Sequence, residues 1–388
     1  MKKTIQVGSS DFKEIITENY YYVDKSLLIK EFIETGAKAI LTPRPRRFGK
    51  TLNMSMLKYF FDIEKKDETK DLFRGLKIEK EEEIMKKRGR YPVIFLTFKN
   101  ERYNTFEEFQ EGLKTVMMRL YREKIYLLDG ERLLEDDKVK FKKVLSGNAT
   151  HVEYYKALSD LMYYMNVYYD EKVMIFIDEY DGPIQEAYFR GYYDELINVM
   201  KVVLTAALKD NDYLEKSLIT GILRIAKESI FSGLNNIQVH TMFSYKFSDK
   251  FGFTIEEVKE LLDYYNLNEK SNEIKEWYNG YTFGRKVIYN PWSVLNYICN
   301  NEIGFMPYWI NSSSNELIKR LLVKGNDKTK KSLEELMTGN AIAKIIDDQI
   351  VMKEIDEDDE NLWSFLTLSG YLKPVKSEVI IGRIECEL

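Results

Sequence analysis

The run Val173-Met174-Ile175-Phe176-Ile177, closed at once by Asp178-Glu179, constrains this fold more than any other feature of the chain. A strand that is apolar at every position, without alternation, is buried on both faces. That pattern belongs to the interior of a parallel sheet covered by helices. Ala39-Ile40-Leu41-Thr42, Val93-Ile94-Phe95-Leu96 and Ser217-Leu218-Ile219-Thr220 read the same way. Between them lie helical patterns: Leu28, Ile29 and Phe32 ahead of Gly36; Leu52 to Phe61; and Phe106 to Leu120 behind a Thr105/Glu108 capping box. A long helical stretch rich in charge and tyrosine then reaches about Tyr169. Strands alternating with helices predict an α/β fold, a parallel sheet with helices on both faces.

From about residue 241 the pattern changes. Thr254 and Glu257 form another capping box ahead of Val258, Leu261 and Leu262, and short helices and turns follow. We therefore expect a core over residues 1–240 with a helical lead-in, and a mainly helical region over 241–388. The acidic run Glu354 to Glu360 reads as a solvated loop, because no apolar strand frames it.

Gly49-Lys50-Thr51 falls between a buried strand and a helix, the context in which backbone N–H groups and a helix N-terminus cradle phosphate. Lys50 is placed to reach β- and γ-phosphates, and the Thr51 hydroxyl to bind Mg²⁺. The preceding loop, Arg44-Pro45-Arg46-Arg47-Phe48, carries arginine where a glycine is usual, and Pro45 has no N–H to give. Arg46 and Arg47 bring positive charge toward the phosphates, and Phe48 lies in the loop with them. A loop that has lost nucleotide, or binds another anion, is the competing reading.

Asp178 sits at the carboxyl end of its strand, the edge where open α/β sheets bind ligands. An Asp there holds Mg²⁺, directly or through water, and Glu179 beside it is the candidate general base. Two solvated carboxylates at a strand terminus are the plain alternative. Thr220 ends another strand and is placed to orient the attacking water; Arg224 just beyond it is a candidate for neutralising developing charge, in cis or toward a neighbouring subunit. Ordinary strand-end polarity would account for both.

Composition closes other routes. Two cysteines and two histidines, none paired at ligand spacing, leave little for structural zinc, disulfides or a Cys-His or Ser-His relay. A net charge of −5 argues against a general polyanion-binding surface, so nucleic acid as a partner finds no support there. The 28 tyrosines and 21 phenylalanines read mainly as core packing, and Trp277, Trp292 and Trp309 likewise. No run of 18 apolar residues suggests a membrane span, and no signal peptide is read, so the expected location is cytoplasmic.

The chain resembles the AAA-ATPase-like family of bacterial proteins. The resemblance rests on Tyr22-Val23-Asp24-Lys25-Ser26, Arg44-Pro45-Arg46-Arg47-Phe48-Gly49-Lys50-Thr51, Ile177-Asp178-Glu179-Tyr180-Asp181-Gly182-Pro183, Ile219-Thr220-Gly221-Ile222-Leu223-Arg224, Trp277-Tyr278-Asn279-Gly280-Tyr281 and Tyr289-Asn290-Pro291-Trp292-Ser293. It implies a P-loop NTPase core with an additional strand and a catalytic Glu, a winged-helix-like region after it, and ATP with Mg²⁺ as the ligand. It also makes the missing first glycine a family trait. Members often continue into a PD-(D/E)XK nuclease-like domain, expected to begin about where Leu388 stands. No Asp followed by Glu-x-Lys in a strand context lies near that point, so nuclease activity is not carried over. Three functions remain: a hydrolase whose nucleotide state switches domain positions, a nucleotide-gated adaptor with little turnover, and a partner in nucleic-acid processing. An Arg224 finger in trans would require a homo-oligomer.

Overall fold

The computed structural model describes residues 2–224, 236–309, 326–350, 352–355, 359–380 and 383–388. Its centre is a five-stranded, all-parallel sheet of β1 (Ala39–Pro43), β2 (Val93–Thr97), β3 (Val173–Asp178), β4 (Leu214–Gly221) and β5 (Ile237–Val239), in the order β2-β3-β4-β1-β5. One strand, β4, is thus interposed between β1, which leads into the phosphate loop, and β3, which ends in the carboxylates. The register aligns their carboxyl ends: Thr42 pairs with Thr220, Ile177 with Ile219 and Thr97 with Asp178.

Every residue of β1 and β3 is buried, as their unbroken apolar character requires. Phe32, Phe61 and Phe176 meet beneath the sheet at ring separations of 5.8 to 6.3 Å. Phe61 belongs to the helix Lys50–Phe61, so this contact sets the helix that begins at the phosphate loop against β3. β5 was not read from the sequence. It has three residues, and its Gln238 is exposed, so no apolar run announces it.

The long helical stretch is divided into Phe106–Glu123, Glu135–Leu145 and His151–Tyr169, the last opened by a Thr150/Glu153 capping box that the sequence reading passed over. At Thr105 the expected box is half formed. Its side chain accepts from the Glu108 N–H, but the Glu108 carboxylate accepts from the N–H of Asn104, one residue too early. The Thr254/Glu257 box is complete.

Helices of the C-terminal region are interleaved with two three-stranded antiparallel sheets: β6 (Phe253–Thr254), β7 (Tyr281–Phe283) and β8 (Lys286–Tyr289), and then β9 (Ala343–Ile346), β10 (Lys376–Ile380) and β11 (Arg383–Glu387). Buried residues from Ile342 to Leu388 extend the core of the parallel sheet, whereas Phe253, Leu261, Leu262 and Val294 centre a second cluster. The acidic run Glu354 to Glu360 lies partly outside the described residues; its last two positions open the helix Asp359–Ser369.

Candidate functional site

The site is built where β1 turns into the helix Lys50–Phe61. Arg47 and Gly49 both adopt left-handed backbone, at φ 68° and 78°. Gly49 does so without cost, while Arg47 carries the strain of a side chain in that region. Gly49 is also the N-cap of the helix, and no side chain caps it, so the first-turn N–H groups keep their donor capacity for a ligand.

Arg44, the residue at the missing-glycine position, turns away from the cleft. It is fully buried, and its guanidinium donates to the carbonyls of Pro43 (2.8 Å), His240 (2.7 Å) and Phe247 (3.1 Å). The rings of Phe251 and Phe283 lie 5.4 and 5.2 Å from it. Burial presses its pKa down to about 9, with only the Glu31 carboxylate opposing. The arginine therefore pins the loop to the segment leaving β5, a job glycine cannot do. Arg44→Ala should lower stability by about 3 kcal/mol, because it orphans three carbonyls and opens a cavity. Chemical denaturation measures it, and a loss under 1 kcal/mol would refute the role.

Lys50 is buried, and its ammonium donates to the carbonyls of Arg44 (3.0 Å) and Pro45 (2.9 Å). Burial lowers its pKa, opposed by Glu179, Asp178 and Asp181. Asp178, wholly buried, accepts from the Thr51 hydroxyl on one oxygen and from the Thr220 hydroxyl on the other, each at 2.7 Å. Thr220 thus stands behind Asp178, and Thr51 in front of it.

Glu179 is partly buried and lines the cleft together with the loop residues. Its φ of 52° is unusual for a residue with a side chain and costs of order 1–3 kcal/mol, the kind of strain that clusters at functional sites. Neighbouring bonds hold it there: the Phe98 N–H donates to the Asp178 carbonyl (3.0 Å), and the Tyr180 N–H to that of Thr220 (3.2 Å). Burial raises the Glu179 pKa, opposed by Lys50 and reinforced by Asp178 and Asp181.

Asp181 is a structural surprise. Its carboxylate accepts from the N–H groups of Ile222 (2.8 Å) and Leu223 (3.1 Å) and from the Gln185 amide (2.9 Å), tying the end of β3 to the exit of β4. A Cβ on Gly221 would come within 2.6 Å of that carboxylate, so only glycine fits there.

A cleft of about 490 Å³ opens beside the loop; the buried Asp178 and Thr220 are not among the residues that line it. Arg46, Arg47, Phe48, Gly49, Lys50, Thr51 and Glu179 line it. The Phe48 ring is nevertheless almost wholly buried, against Tyr281 and Phe283. Arg224 does not join them; it borders a separate small crevice with Pro43, Thr241 and Asp348. Three groups of lining residues escaped the sequence reading. Lys99, Asn100 and Arg102 follow β2, and the strand-end rule that found Asp178 would have found them too. The N-terminal residues Val7 and Gly8, and Phe253, Trp292 and Leu295 from beyond residue 240, carried no local signal. Trp292 was read as packing; it borders the cleft, whereas Trp277 stacks on Phe305 and Trp309 meets Tyr371.

Among the described residues no group of three or more His, Cys, Asp or Glu side chains is arranged to hold a metal, and no helix is long and apolar enough to cross a membrane. A family model described as "Predicted AAA-ATPase" matches residues 6–231. An uncharacterized protein from the vnfD 5′ region of Azotobacter chroococcum mcd 1 is 26% identical over 343 residues, 88% of this chain. The match covers 60% of that relative's length.

Proposed function

Since this chain belongs to the AAA-ATPase-like family of predicted AAA-ATPases, we propose that it binds ATP with Mg²⁺ in the cleft and hydrolyses it, the nucleotide state setting the position of the region that follows the sheet. One observation carries the reading: Thr51 and Thr220 converge on the buried Asp178 from opposite sides at 2.7 Å. A carboxylate held this way beside a helix N-terminus fits a hard cation. With one carboxylate and one hydroxyl, the donor set suits Mg²⁺, which keeps waters and takes its other oxygens from phosphate. Bound there, the cation would neutralise phosphate charge.

The chain's own groups do the rest. Lys50 exchanges the Arg44 and Pro45 carbonyls for phosphate oxygens, forming charge-assisted bonds. Glu179 accepts the proton of the attacking water, and Thr220 fixes the Asp178 carboxylate. Loss of the γ-phosphate returns Lys50 to its loop carbonyls, which gives the site two states. Arg46 and Lys99, both lining the cleft, supply further positive charge, whereas Arg224 would need to move or to act on a neighbouring subunit.

Phosphate release from ATP, measured across pH with and without Mg²⁺, tests the proposal. Glu179 works only as the carboxylate, and burial raises its pKa. The acid limb of the rate profile should therefore lie above the ordinary carboxylate range, with activity lost as pH falls through it. Magnesium-independent release, or a flat acid side, would count against this assignment. A second reading, a nucleotide-gated adaptor, draws on Pro45, which offers the phosphates no N–H. Tight ATP binding without release of phosphate would select it.

A further inference from the structure

β2 and β3 run parallel and end in register, with Thr97 opposite Asp178. The chain leaving β2 is therefore set down beside the tip that carries Glu179. Backbone bonds hold it there. The Phe98 N–H donates to the Asp178 carbonyl at 3.0 Å, and the Phe98 ring is almost wholly buried. The Glu101 N–H closes a turn onto the Phe98 carbonyl at 3.1 Å, and the Lys99 N–H donates to the Thr97 hydroxyl at 3.3 Å. A fixed turn thus presents Lys99, whose exposed side chain lines the cleft together with Lys50 and Glu179.

The other lysines of the cleft are already engaged. Lys25 pairs with Glu257, Lys250 pairs with Asp249, and Lys50 donates to its loop carbonyls. The Lys99 ammonium has no hydrogen bond or salt bridge among the described residues. It lies within electrostatic reach of Glu179, whose pKa it and Lys50 both pull down against the upward push of burial. Arg224, by contrast, borders a separate crevice. Charge that builds on a phosphoryl group in the cleft would thus meet Lys99 without any rearrangement of the fold.

We propose that Lys99 is the catalytic cation of this site: its ammonium binds the γ-phosphate and neutralises the charge that develops there, within one chain. The inference rests on the hydrolase reading above and names the group that takes the role sought in Arg224. As the oxygen of the attacking water bonds to the γ-phosphorus, its proton passes to Glu179. The bond to the β-phosphate oxygen breaks, and ADP and phosphate are the products. The equatorial oxygens carry the charge that Lys99 offsets. An ammonium taken up by the γ-phosphate also depresses Glu179 less, so substrate makes Glu179 the stronger base.

Steady-state hydrolysis of Mg²⁺–ATP, with calorimetry of Mg²⁺–ADP, on wild type, Lys99→Met and Lys99→Arg tests it. Lys99→Met keeps the length of the side chain and drops its charge, and should lower kcat about 10²–10³-fold. Its ADP affinity should stay within about twofold, since ADP has no γ-phosphate, which also shows that the variant is folded. Lys99→Arg, which keeps the charge, should restore kcat to within about tenfold. The acid limb of kcat/KM should move to higher pH in Lys99→Met, because Glu179 of the free enzyme loses a cation that lowers its pKa. A kcat within about threefold of wild type in Lys99→Met would overturn the proposal. So would an ADP affinity lost as far as kcat, which marks a structural residue, or an Arg variant no better than Met. Wild type that binds ATP without hydrolysing it would overturn the hydrolase reading, and this one with it.

Discussion

Glu179→Gln should lower ATP turnover by about 10²–10⁴-fold, the range a positioned general base contributes, and leave ATP affinity within a few-fold of wild type. Glutamine keeps the shape and the hydrogen-bonding reach of the side chain and removes only its ability to take a proton. Neither of the bonds that pin the neighbouring backbone, Phe98 to Asp178 and Tyr180 to Thr220, involves the Glu179 side chain. The variant should also be no less stable than wild type, because burial already disfavours the charged form. Single-turnover kinetics separates the effects, since chemistry slows while binding does not. Turnover within threefold of wild type would remove Glu179 from the chemistry and leave the nucleotide-gated adaptor as the better account.

Lys50→Ala should do the opposite and abolish binding, raising the ATP dissociation constant by about 100-fold or more. Charge-assisted hydrogen bonds are worth about 1.5–3 kcal/mol each, and an ammonium that reaches two phosphate groups makes at least two of them. The variant also leaves the buried carbonyls of Arg44 and Pro45 without the ammonium they accept from, so the fold has to be checked beside the binding. Calorimetry with Mg²⁺–ATP measures the loss, and thermal denaturation shows whether the fold survives. An affinity within threefold of wild type in the folded variant would mean that ATP, if bound, lies elsewhere.

The parts of this site legible in the sequence are those written in consecutive residues. β3 declared itself because a fully buried strand must be apolar at every position, and its end declared itself because two carboxylates follow directly. Gly49-Lys50-Thr51 was legible for the same reason, as a turn between a strand and a helix. Parts assembled from distant segments were not. Arg44 read as a defect in a glycine pattern, yet its partners His240 and Phe247 are about 200 positions away, and only the fold brings them together. Trp292 read as packing, because nothing adjacent to it mentions a cleft whose other wall is the phosphate loop. Asp181 was assigned no role, since its backbone partners come from the far end of β4. β5 escaped for a simpler reason: at an edge of the sheet, three residues suffice to complete it.

Asp181 also bears on how the site can fail. The carboxylate that binds the Ile222 and Leu223 amides leaves no room for even a methyl group on Gly221, so the tips of β3 and β4 have no slack between them. Glu179 sits on one tip and Thr220 on the other. A disturbance that shifts either tip by an ångström must break the shared bonds and release both. The two tips are therefore coupled, and loss of the Asp181 bonds should loosen Glu179 and Thr220 together.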